Sequence, residues 1–247
     1  MTRPAPTSPA NLQTMHCPAT ERHVRTSIII PTLNEASRIG AAIERARPIN
    51  PAEIIVVDGG SDDGTLAAAY PADQVLTAPR GRAAQQNAGA SACSGEVLLF
   101  LHADCWLVPG SLEQIAAAIA DPRCVGGCFR QRIDAEGRRF RWLERGNAWR
   151  IRLSRLAYGD QGIFVRRDVF HRLGGFPDLE LMEDLFFMKR LRKEGRLALL
   201  EGPLHVSARR WERQGVVRQT ARNWCLTLAA RLGVSPNRLA RFYPPVR

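Results

Sequence analysis

The feature that most constrains the fold is a recurring alternation between continuous apolar runs and helical patterns in the first half of the chain. Apolar runs lie at 27–30, 54–57 and 97–101, and a shorter one lies within 73–79. Between these runs, apolar residues recur every three or four positions, which is the spacing of an amphipathic helix. Strands that are apolar throughout are typical of a sheet buried on both faces. The pattern therefore predicts an α/β fold with a mostly parallel, Rossmann-like central sheet flanked by helices.

Polar residues follow each of the four predicted strands. They are Asn34 and Glu35, Asp58, Arg80 and Arg82, and His102 and Asp104. In parallel sheets, ligands bind in the crevice beyond the carboxyl ends of the strands. The sequence therefore predicts that these side chains face one binding crevice.

The second half of the chain is less regular. A strand is predicted at 124–133, an arginine-rich amphipathic helix pair at 138–156, and a helix that begins at Glu183. A further strand is expected from 196 onward, and a last helix is expected at 216–231. We therefore expect a helical C-terminal part beside the sheet.

The charge of the chain indicates an anionic partner. Its formal net charge is +11, its isoelectric point is about 10.4, and Lys189 and Lys193 are its only lysines. Arginine binds phosphate through a planar fork of donors, so nucleotide phosphates and a phospholipid surface are candidate partners. A compositional bias of the genome explains the same excess equally well.

The N-terminus and the cysteines indicate a compartment. The N-terminal stretch lacks the apolar core of a secretory signal, and no run of 18 apolar residues predicts a membrane-spanning helix. The six cysteines do not have the spacing of a zinc site and are expected to stay reduced. We therefore expect a cytoplasmic protein, with peripheral attachment at the inner membrane face as an option.

The most informative motif is VVDGGSDDGT at 56–65, which follows PTLNE at 31–35. Asp58 lies where a strand opens into a loop, so its carboxylate can accept hydrogen bonds from a nucleoside. Gly60 gives the loop backbone freedom, and Asp63 can cap the next helix. The two segments resemble the family 2 glycosyltransferases of the GT-A fold. Together with RGRAAQQNAG, GDQGIF and SARRW, they are most similar to a small bacterial branch of soluble enzymes in that family.

The resemblance implies a site for a nucleotide-sugar. The stretch at 80–89 matches a block in which an Arg and an Asn-x-Gly element contact the nucleotide and its diphosphate. A UDP-sugar is the default donor, because such donors are the commonest in the family. The implied nucleotide-binding residues are Pro31, Asn34, Glu35, Asp58, Gly60, Asp63, Arg80, Arg82 and Asn87.

The segment FLHADC at 100–105 lies where the family carries its Asp-x-Asp motif. His102 replaces the first acid, and Asp104 keeps the second. The resemblance implies that Asp104 binds Mn²⁺ or Mg²⁺ together with diphosphate oxygens. His102 is either a second ligand, which would favour Mn²⁺, or a histidine that only completes the end of a strand.

The segment MEDLFFMKR at 182–190 matches the acidic pair that opens a helix in the family. An inverting transferase needs a general base for the acceptor hydroxyl, and the resemblance assigns that role to Asp184, with Glu183 beside it. Repulsion between adjacent carboxylates would raise the pKa of one of them. The residues expected to contact acceptor or diphosphate are Asp160, Gln161, Arg209, Arg210 and Trp211.

These motifs imply an inverting, metal-assisted hexosyltransferase-like enzyme with an unidentified acceptor. We expect a flexible leader at 1–25, a GT-A domain at 26–215, and a C-terminal helix with a basic tail at 216–247. Within the domain, 26–108 would bind the nucleotide and 109–215 the acceptor.

Two other interpretations stay open. A sugar-phosphate nucleotidyltransferase would carry a lysine-bearing phosphate loop after the first strand, where this chain has PTLNEASR. A non-catalytic binder of nucleotide-sugars or lipid head groups is favoured only by the missing first acid of Asp-x-Asp. No nucleic-acid partner is expected from any of these motifs.

The arginine-rich segment at 138–156 allows two interpretations. Trp142, Leu143, Trp149 and Leu153 lie near one apolar stripe of a helix, with arginines around it. Such a helix lies either against a sheet, with its charges in solvent, or on anionic lipid. We expect packing, because the sheet needs covering helices. The alternative is membrane attachment, which would bring the site to a lipid-linked acceptor.

Overall fold

The computed structural model describes residues 24–215 and, in the C-terminal region, 219, 220, 222, 225, 226, 229, 230 and 234–240. The strands are β1 Thr26–Thr32, β2 Glu53–Asp58, β3 Gln74–Thr77, β4 Val97–Phe100, β5 Cys105–Leu107, β6 Cys124–Asp134, β7 Phe164–Arg166 and β8 Arg196–Ser207. The α-helices are α1 Ala36–Ala46, α2 Thr65–Ala68, α3 Arg82–Ala92, α4 Ser111–Ile119, α5 Arg138–Ser154, α6 Arg167–Arg172, α7 Glu183–Glu194, α8 Arg209–Gln214 and α9 Pro236–Ala240. Residues 1–23 of the predicted leader and much of the helix predicted at 216–231 lie outside the described residues.

One eight-stranded sheet runs through the domain in the order β3-β2-β1-β4-β7-β6-β8-β5. The first four strands pair in parallel, as predicted, and Thr32 lies beside Asp58 where β1 and β2 end. In the rest of the sheet, β6 and β8 pair in parallel, whereas β7 and β5 pair antiparallel with their neighbours. The sheet is therefore parallel among β1 to β4 and mixed beyond them.

Side chains of β1 and β2 are buried on both faces of the sheet. Ile29, Ile55 and Val57 belong to one apolar cluster, which includes residues of α3, α6 and α7. Their neighbours Ile28 and Ile30 belong to another, which includes residues of α1 and α4. Because successive strand residues point to opposite faces, this division confirms a sheet covered by helices on both faces.

The arginine-rich segment forms one continuous helix, α5, rather than the predicted pair. Its buried side chains are Phe140, Ala148 and Ile151, on the side that contacts β6 and β8. Of the predicted apolar stripe, only Leu143 packs on the core, while Trp142, Trp149 and Leu153 are exposed. The prediction that this stripe packs on the sheet is therefore wrong. The helix has two apolar stripes, and spacing alone does not say which one faces inward.

The described C-terminal residues pack on the domain. Leu226, Ala230 and Leu239 are buried in the first apolar cluster, and Gln219 is also buried. This region therefore adds a helical layer to the cluster that contains α7. Within the ranges that the structure describes, no helix combines the length and apolar character needed to cross a bilayer.

Candidate active site

A cavity of about 110 Å³ lies just beyond the carboxyl end of β4, in the region where the sequence predicts a crevice. The turn between β4 and β5, the 3-10 helix Gly159–Gln161, the start of α7 and the end of β8 form its walls. Its charged and imidazole side chains are Arg82, His102, Asp104, Asp160 and Asp184. Its apolar wall is formed by Leu181, Met182, Val206, Trp211 and Leu226. The fold thus brings together residues that are more than a hundred positions apart.

The two acids that open α7, which we call the acid pair, occupy different environments. Asp184 lines the cavity and is 7% exposed. Its Oδ2 accepts a hydrogen bond from the Gly159 N–H at 2.5 Å, and its Oδ1 accepts one from the Leu185 N–H at 2.6 Å. Glu183 is 2% exposed and does not line the cavity. Only one carboxylate of the acid pair therefore faces the cavity.

Glu183 forms an ion pair with Arg82, the first residue of α3. Arg82 Nε lies 2.8 Å from Glu183 Oε1, and Arg82 Nη2 lies 3.3 Å from Glu183 Oε2. Burial raises the pKa of Glu183 to about 7, while Arg82 opposes the rise and Asp184 adds to it. The ion pair holds the Arg82 guanidinium in the cavity wall.

Gly159 lies between His102 and Asp184. A Cβ atom at this residue would lie 2.9 Å from His102 Nε2 and 3.2 Å from Asp184 Oδ2, so a larger residue would displace one of them. The turn is fixed from inside, because Oε1 of the fully buried Gln161 accepts a hydrogen bond from the Tyr158 N–H at 2.8 Å. The turn therefore sets the position of the Asp184 carboxylate.

Asp58 is buried at the end of β2 and organises the loop at 59–64, which we call the rim loop. Its Oδ2 accepts the N–H groups of Gly60 at 2.9 Å and Ser61 at 2.8 Å, and its Oδ1 accepts the Ser61 hydroxyl. Gly60 has a φ of +89°, which glycine adopts without strain. Pro31, in neighbouring β1, is also buried. Asp58 thus shapes the rim loop and does not line the cavity.

Asn34, Glu35 and Asp63 connect the rim loop to the loop after β1. Asn34 has a φ of +55°, and its Oδ1 accepts the N–H of Asp62 at 3.1 Å. The N–H of Glu35 donates to the Thr65 hydroxyl at 2.8 Å. Asp63 accepts the N–H of the first residue of α1 at 3.2 Å and of α2 at 3.1 Å. These bonds fix the N-termini of two helices at the edge of the sheet.

Two side-chain amides of α3 tie segments of the domain together. Asn87 Oδ1 accepts the N–H of Phe176, and Asn87 Nδ2 donates to the Phe176 carbonyl, both at 2.9 Å. Gln85 Nε2 donates to the carbonyls of Thr32 at 2.7 Å and Val57 at 2.8 Å. Asn87 therefore locates the segment between α6 and α7, and Gln85 clamps the ends of β1 and β2.

The remaining predicted residues divide between the cavity wall and its surroundings. Asp160 lines the cavity from the turn, and Trp211 lines it from α8. Arg209 is the first residue of α8, whereas the side chain of Arg210 lies outside the described part of the chain. Arg80 is exposed just before α3.

The sequence matches a known family over the segments that build this site. The family model described as Glycosyl transferase family 2 matches residues 27–176, which is more than half of the chain. The protein belongs to glycosyl transferase family 2. The family resemblance that the motifs indicate is thereby confirmed.

Proteins similar to this family member include glycosyltransferase AglE of Haloferax volcanii. It is 30% identical in a 172-residue alignment that covers 62% of this chain and 56% of AglE, so the chain spans little more than half of that relative. S. aureus TarS has a similar fold, with a TM-score of 0.59 and 18% identity over 74% of this chain and 36% of TarS. TarS 1-349 in complex with UDP-GlcNAc gives a TM-score of 0.58 at 18% identity, over 74% of this chain and 58% of that one. This likeness confirms the predicted GT-A fold.

The cavity offers two side chains that could bind a divalent cation. In the part of the chain that the structure describes, no three His, Cys, Asp or Glu side chains gather as a cation held by protein alone requires. Asp104 and His102 do line the same cavity. One carboxylate and one imidazole suit a cation that takes its other ligands from a diphosphate and water. The residues therefore fit a cation that binds together with a nucleotide.

Sequence reasoning missed several residues of the family site. Four residues that line the cavity were not predicted as site residues, although each lies in or next to one of the motifs. They are Tyr158, Gly159, Leu181 and Met182. Met182 has a φ of +65°, which is rare for a residue with a side chain, at the point where α7 begins. Such roles arise from contacts between distant segments, which local patterns do not record.

Proposed function

We propose that this protein is an inverting glycosyltransferase that moves a sugar from a nucleotide-diphosphate donor to an acceptor hydroxyl. The observation that carries the proposal is the Asp184 carboxylate, which lines the same cavity as Arg82 and Asp104. Such a transfer requires a base for the acceptor and positive charge for the leaving diphosphate. The cavity offers a candidate residue for each task.

Asp184 is the general base in this proposal. Its backbone hydrogen bonds from Gly159 and Leu185 orient the carboxylate, and further lone pairs remain for an acceptor hydroxyl. Asp184 takes the hydroxyl proton while the hydroxyl oxygen bonds to the anomeric carbon. The bond between that carbon and the diphosphate breaks on the opposite side, so the configuration inverts. Glu183 lies behind this step and holds Arg82.

Arg82 and Asp104 serve the leaving diphosphate. The ion pair with Glu183 holds the Arg82 guanidinium at the cavity, where the planar donor fork of an arginine suits phosphate oxygens. Asp104, with His102 beside the same cavity, would hold Mn²⁺ or Mg²⁺. When bound, that cation neutralises charge on the diphosphate. Asp160 and Trp211 line the part of the cavity that remains for sugar or acceptor.

The first donor to test is a uridine diphosphate sugar. TarS, whose fold is similar, has been solved with UDP-GlcNAc and with UDP. The rim loop lies at the carboxyl end of β2, where parallel sheets bind nucleotides, so we assign the nucleoside to it. Asp58 supports that binding by fixing the shape of the rim loop.

The test is a thermal-shift screen of nucleotide-sugars, with and without Mn²⁺, followed by an assay of nucleotide release. A ligand that binds only the folded state stabilises it by about 2.7 kcal/mol at a hundred times its Kd, which gives a clear rise in Tm. UDP-GlcNAc heads the panel, and UDP and inorganic phosphate are the reference ligands. A panel in which no nucleotide-sugar raises the Tm would overturn the proposal. If a nucleotide-sugar binds but no nucleotide is released in the presence of any acceptor or of water alone, the result would favour a non-catalytic binding module.

The Asp104→Ala variant separates the role of the cation from that of the pocket. It should lose the part of the Tm rise that depends on Mn²⁺ and keep the part that does not. Asp168→Ala, which removes an exposed aspartate of α6 that does not line the cavity, is the matched control and should behave as the parent protein. Equal dependence on Mn²⁺ in the parent and in Asp104→Ala would remove Asp104 from cation binding.

A further inference from the structure

The outer face of α5 carries a stripe of large exposed apolar side chains. Trp142 is 69% exposed, Trp149 is 67% exposed and Leu153 is 66% exposed. Because a helix turns about 100° per residue, positions seven and eleven residues apart fall on one side. These three residues, which we call the outer stripe, therefore form a single apolar face directed into solvent.

Arginines flank the outer stripe along the length of the helix. Arg138, Arg145 and Arg152 recur every seven residues and are exposed, so they form a cationic row beside the stripe. Arg139 is exposed on the other side of the stripe. Two members of the row have contacts on this face: Arg145 lies over the Trp142 ring, 6.0 Å from its centroid, and Arg152 lies 3.7 Å from Glu201. The face is thus apolar along its centre and positive at its edges.

The packing of α5 does not require the outer stripe. The helix is anchored by its opposite side, where Phe140, Ala148 and Ile151 are buried. Arg150 fixes its C-terminal end, since its guanidinium donates to the Leu156 carbonyl at 2.6 Å and to Gln161 Oε1 at 3.2 Å. The outer stripe is therefore exposed on a helix that is already held in place.

We propose that the outer stripe docks α5 on the surface of an anionic phospholipid bilayer. Tryptophan is suited to the boundary between acyl chains and head groups, and leucine to the acyl chains below it. The flanking arginines would reach acidic head groups on both sides of the stripe. A second copy of this chain is a poorer occupant, because two such faces would bring their cationic rows together.

The docking goes beyond the proposed transfer reaction and has a consequence for it. α5 ends directly before the segment that leads to Tyr158 and Gly159, which line the cavity. Arg150 links the end of the helix to the same turn through Gln161. Bilayer docking would therefore hold this wall of the cavity near the membrane surface, where an acceptor carried on a lipid is reached. Vesicle binding tests the docking independently of any transferase activity.

The experiment measures co-sedimentation of the full chain with two kinds of vesicle. One is phosphatidylcholine alone, and the other contains phosphatidylcholine with a third of phosphatidylglycerol. We expect binding to the anionic vesicles to be at least about tenfold stronger and to fall at high salt, since the attraction of exposed charges is screened. Tryptophan emission should shift to shorter wavelength on binding. Equal binding to both vesicles, or none to either, would overturn the proposal.

Paired variants assign the binding to α5. Trp142→Ala with Trp149→Ala, and Arg138→Gln with Arg145→Gln, should each reduce vesicle binding at least about fivefold. The controls are Tyr70→Ala, which removes an aromatic side chain that is 86% exposed, and Arg25→Gln with Arg123→Gln, which removes two exposed arginines elsewhere. Light scattering after gel filtration gives the oligomeric state. A dimer that the tryptophan variant loses would assign the face to self-association instead.

Discussion

The rim loop and the acid pair use their carboxylates in opposite ways. The Asp58 carboxylate accepts hydrogen bonds from the loop that follows it, and it does not line the cavity. In the acid pair, Glu183 is bound to Arg82 inside the protein, whereas Asp184 is oriented by two backbone N–H groups and faces the cavity. In the rim loop, the acid Asp58 fixes the loop conformation. In the acid pair, Glu183 positions Arg82, and Asp184 is the proposed reactive group.

The difference shows how much a motif match can say. Hydrophobic packing does not explain the aspartate in VVDGGSDDGT or the one in MED. Both motifs resemble those of the family. A match gives the residue type at a position, but it does not give the atoms to which the side chain bonds. Burial and hydrogen bonds supply that information, and they predict different consequences for the loss of Asp58 and of Asp184.

The largest effect is expected from Asp184→Asn, which keeps the shape of the side chain and removes its basicity. Nucleotide release from a bound donor should fall about a hundredfold or more, while donor affinity stays nearly unchanged, because a base acts on the acceptor proton. Initial rates and calorimetric titration of the donor measure the two quantities. Near-normal turnover by Asp184→Asn would remove Asp184 from the chemistry and break the contrast with Asp58.

Asp58→Ala should act mainly on the fold. The substitution leaves the N–H groups of Gly60 and Ser61 without their acceptor, and we expect the free energy of unfolding to fall by about 1–3 kcal/mol. Chemical denaturation measures the loss, with Asp62→Ala on the same loop as a control that should stay within about 0.5 kcal/mol of the parent. If both variants were equally stable, the Asp58 carboxylate would serve a ligand rather than the rim loop.

Gly159→Ala tests whether the turn positions Asp184. The added Cβ would approach His102 Nε2 and Asp184 Oδ2, so the carboxylate or the turn must shift. We expect roughly tenfold slower nucleotide release, because small displacements of reacting groups reduce rates strongly. Gly146→Ala on α5, where a Cβ meets no atom within 4 Å, is the matched control and should keep full activity. Unchanged turnover in Gly159→Ala would show that the site tolerates the displacement.

Much of this fold follows from the sequence, because local patterns determine it. The apolar runs of β1, β2 and β4 predict strands without any information about the segments that pack against them. The parallel part of the sheet follows from these strands. β5 was not predicted, since it has three residues and depends on pairing with β8, a hundred positions away. The inward side of α5 was predicted wrongly for a similar reason: only contacts with β6 and β8 choose between its two apolar stripes.

The candidate site shows the same limit. Family motifs led to Asp104 and Asp184, and both line the cavity. The roles of Gly159 and Gln85 were not predictable, because each depends on a close approach between segments that are distant in the chain. Arg82 was predicted as a nucleotide contact, but its ion pair with Glu183 joins two motifs that the sequence leaves separate.

The smallest expected effect is a pH dependence of the Tm that the titration of Glu183 causes. Burial raises its pKa from 4.5 to about 7, so the folded protein keeps this proton over a range in which the unfolded chain has released it. The contribution of Glu183 to stability is therefore complete below its unfolded pKa and falls as the pH rises toward about 7. Glu183→Gln cannot titrate, so its Tm relative to the parent should rise by a few degrees between about pH 5 and about pH 8.

Glu53→Gln provides the control of opposite sign for this measurement. Burial raises the pKa of Glu53, but hydrogen bonds from Ser27 and Ser94 outweigh it and lower the pKa below its ordinary value of 4.5, so the folded protein releases this proton at a lower pH than the unfolded chain does. The Tm difference of Glu53→Gln from the parent should therefore stay constant over the range in which that of Glu183→Gln rises. If the two differences ran parallel, Glu183 would already be ionised at pH 5, and burial would not raise its pKa toward about 7.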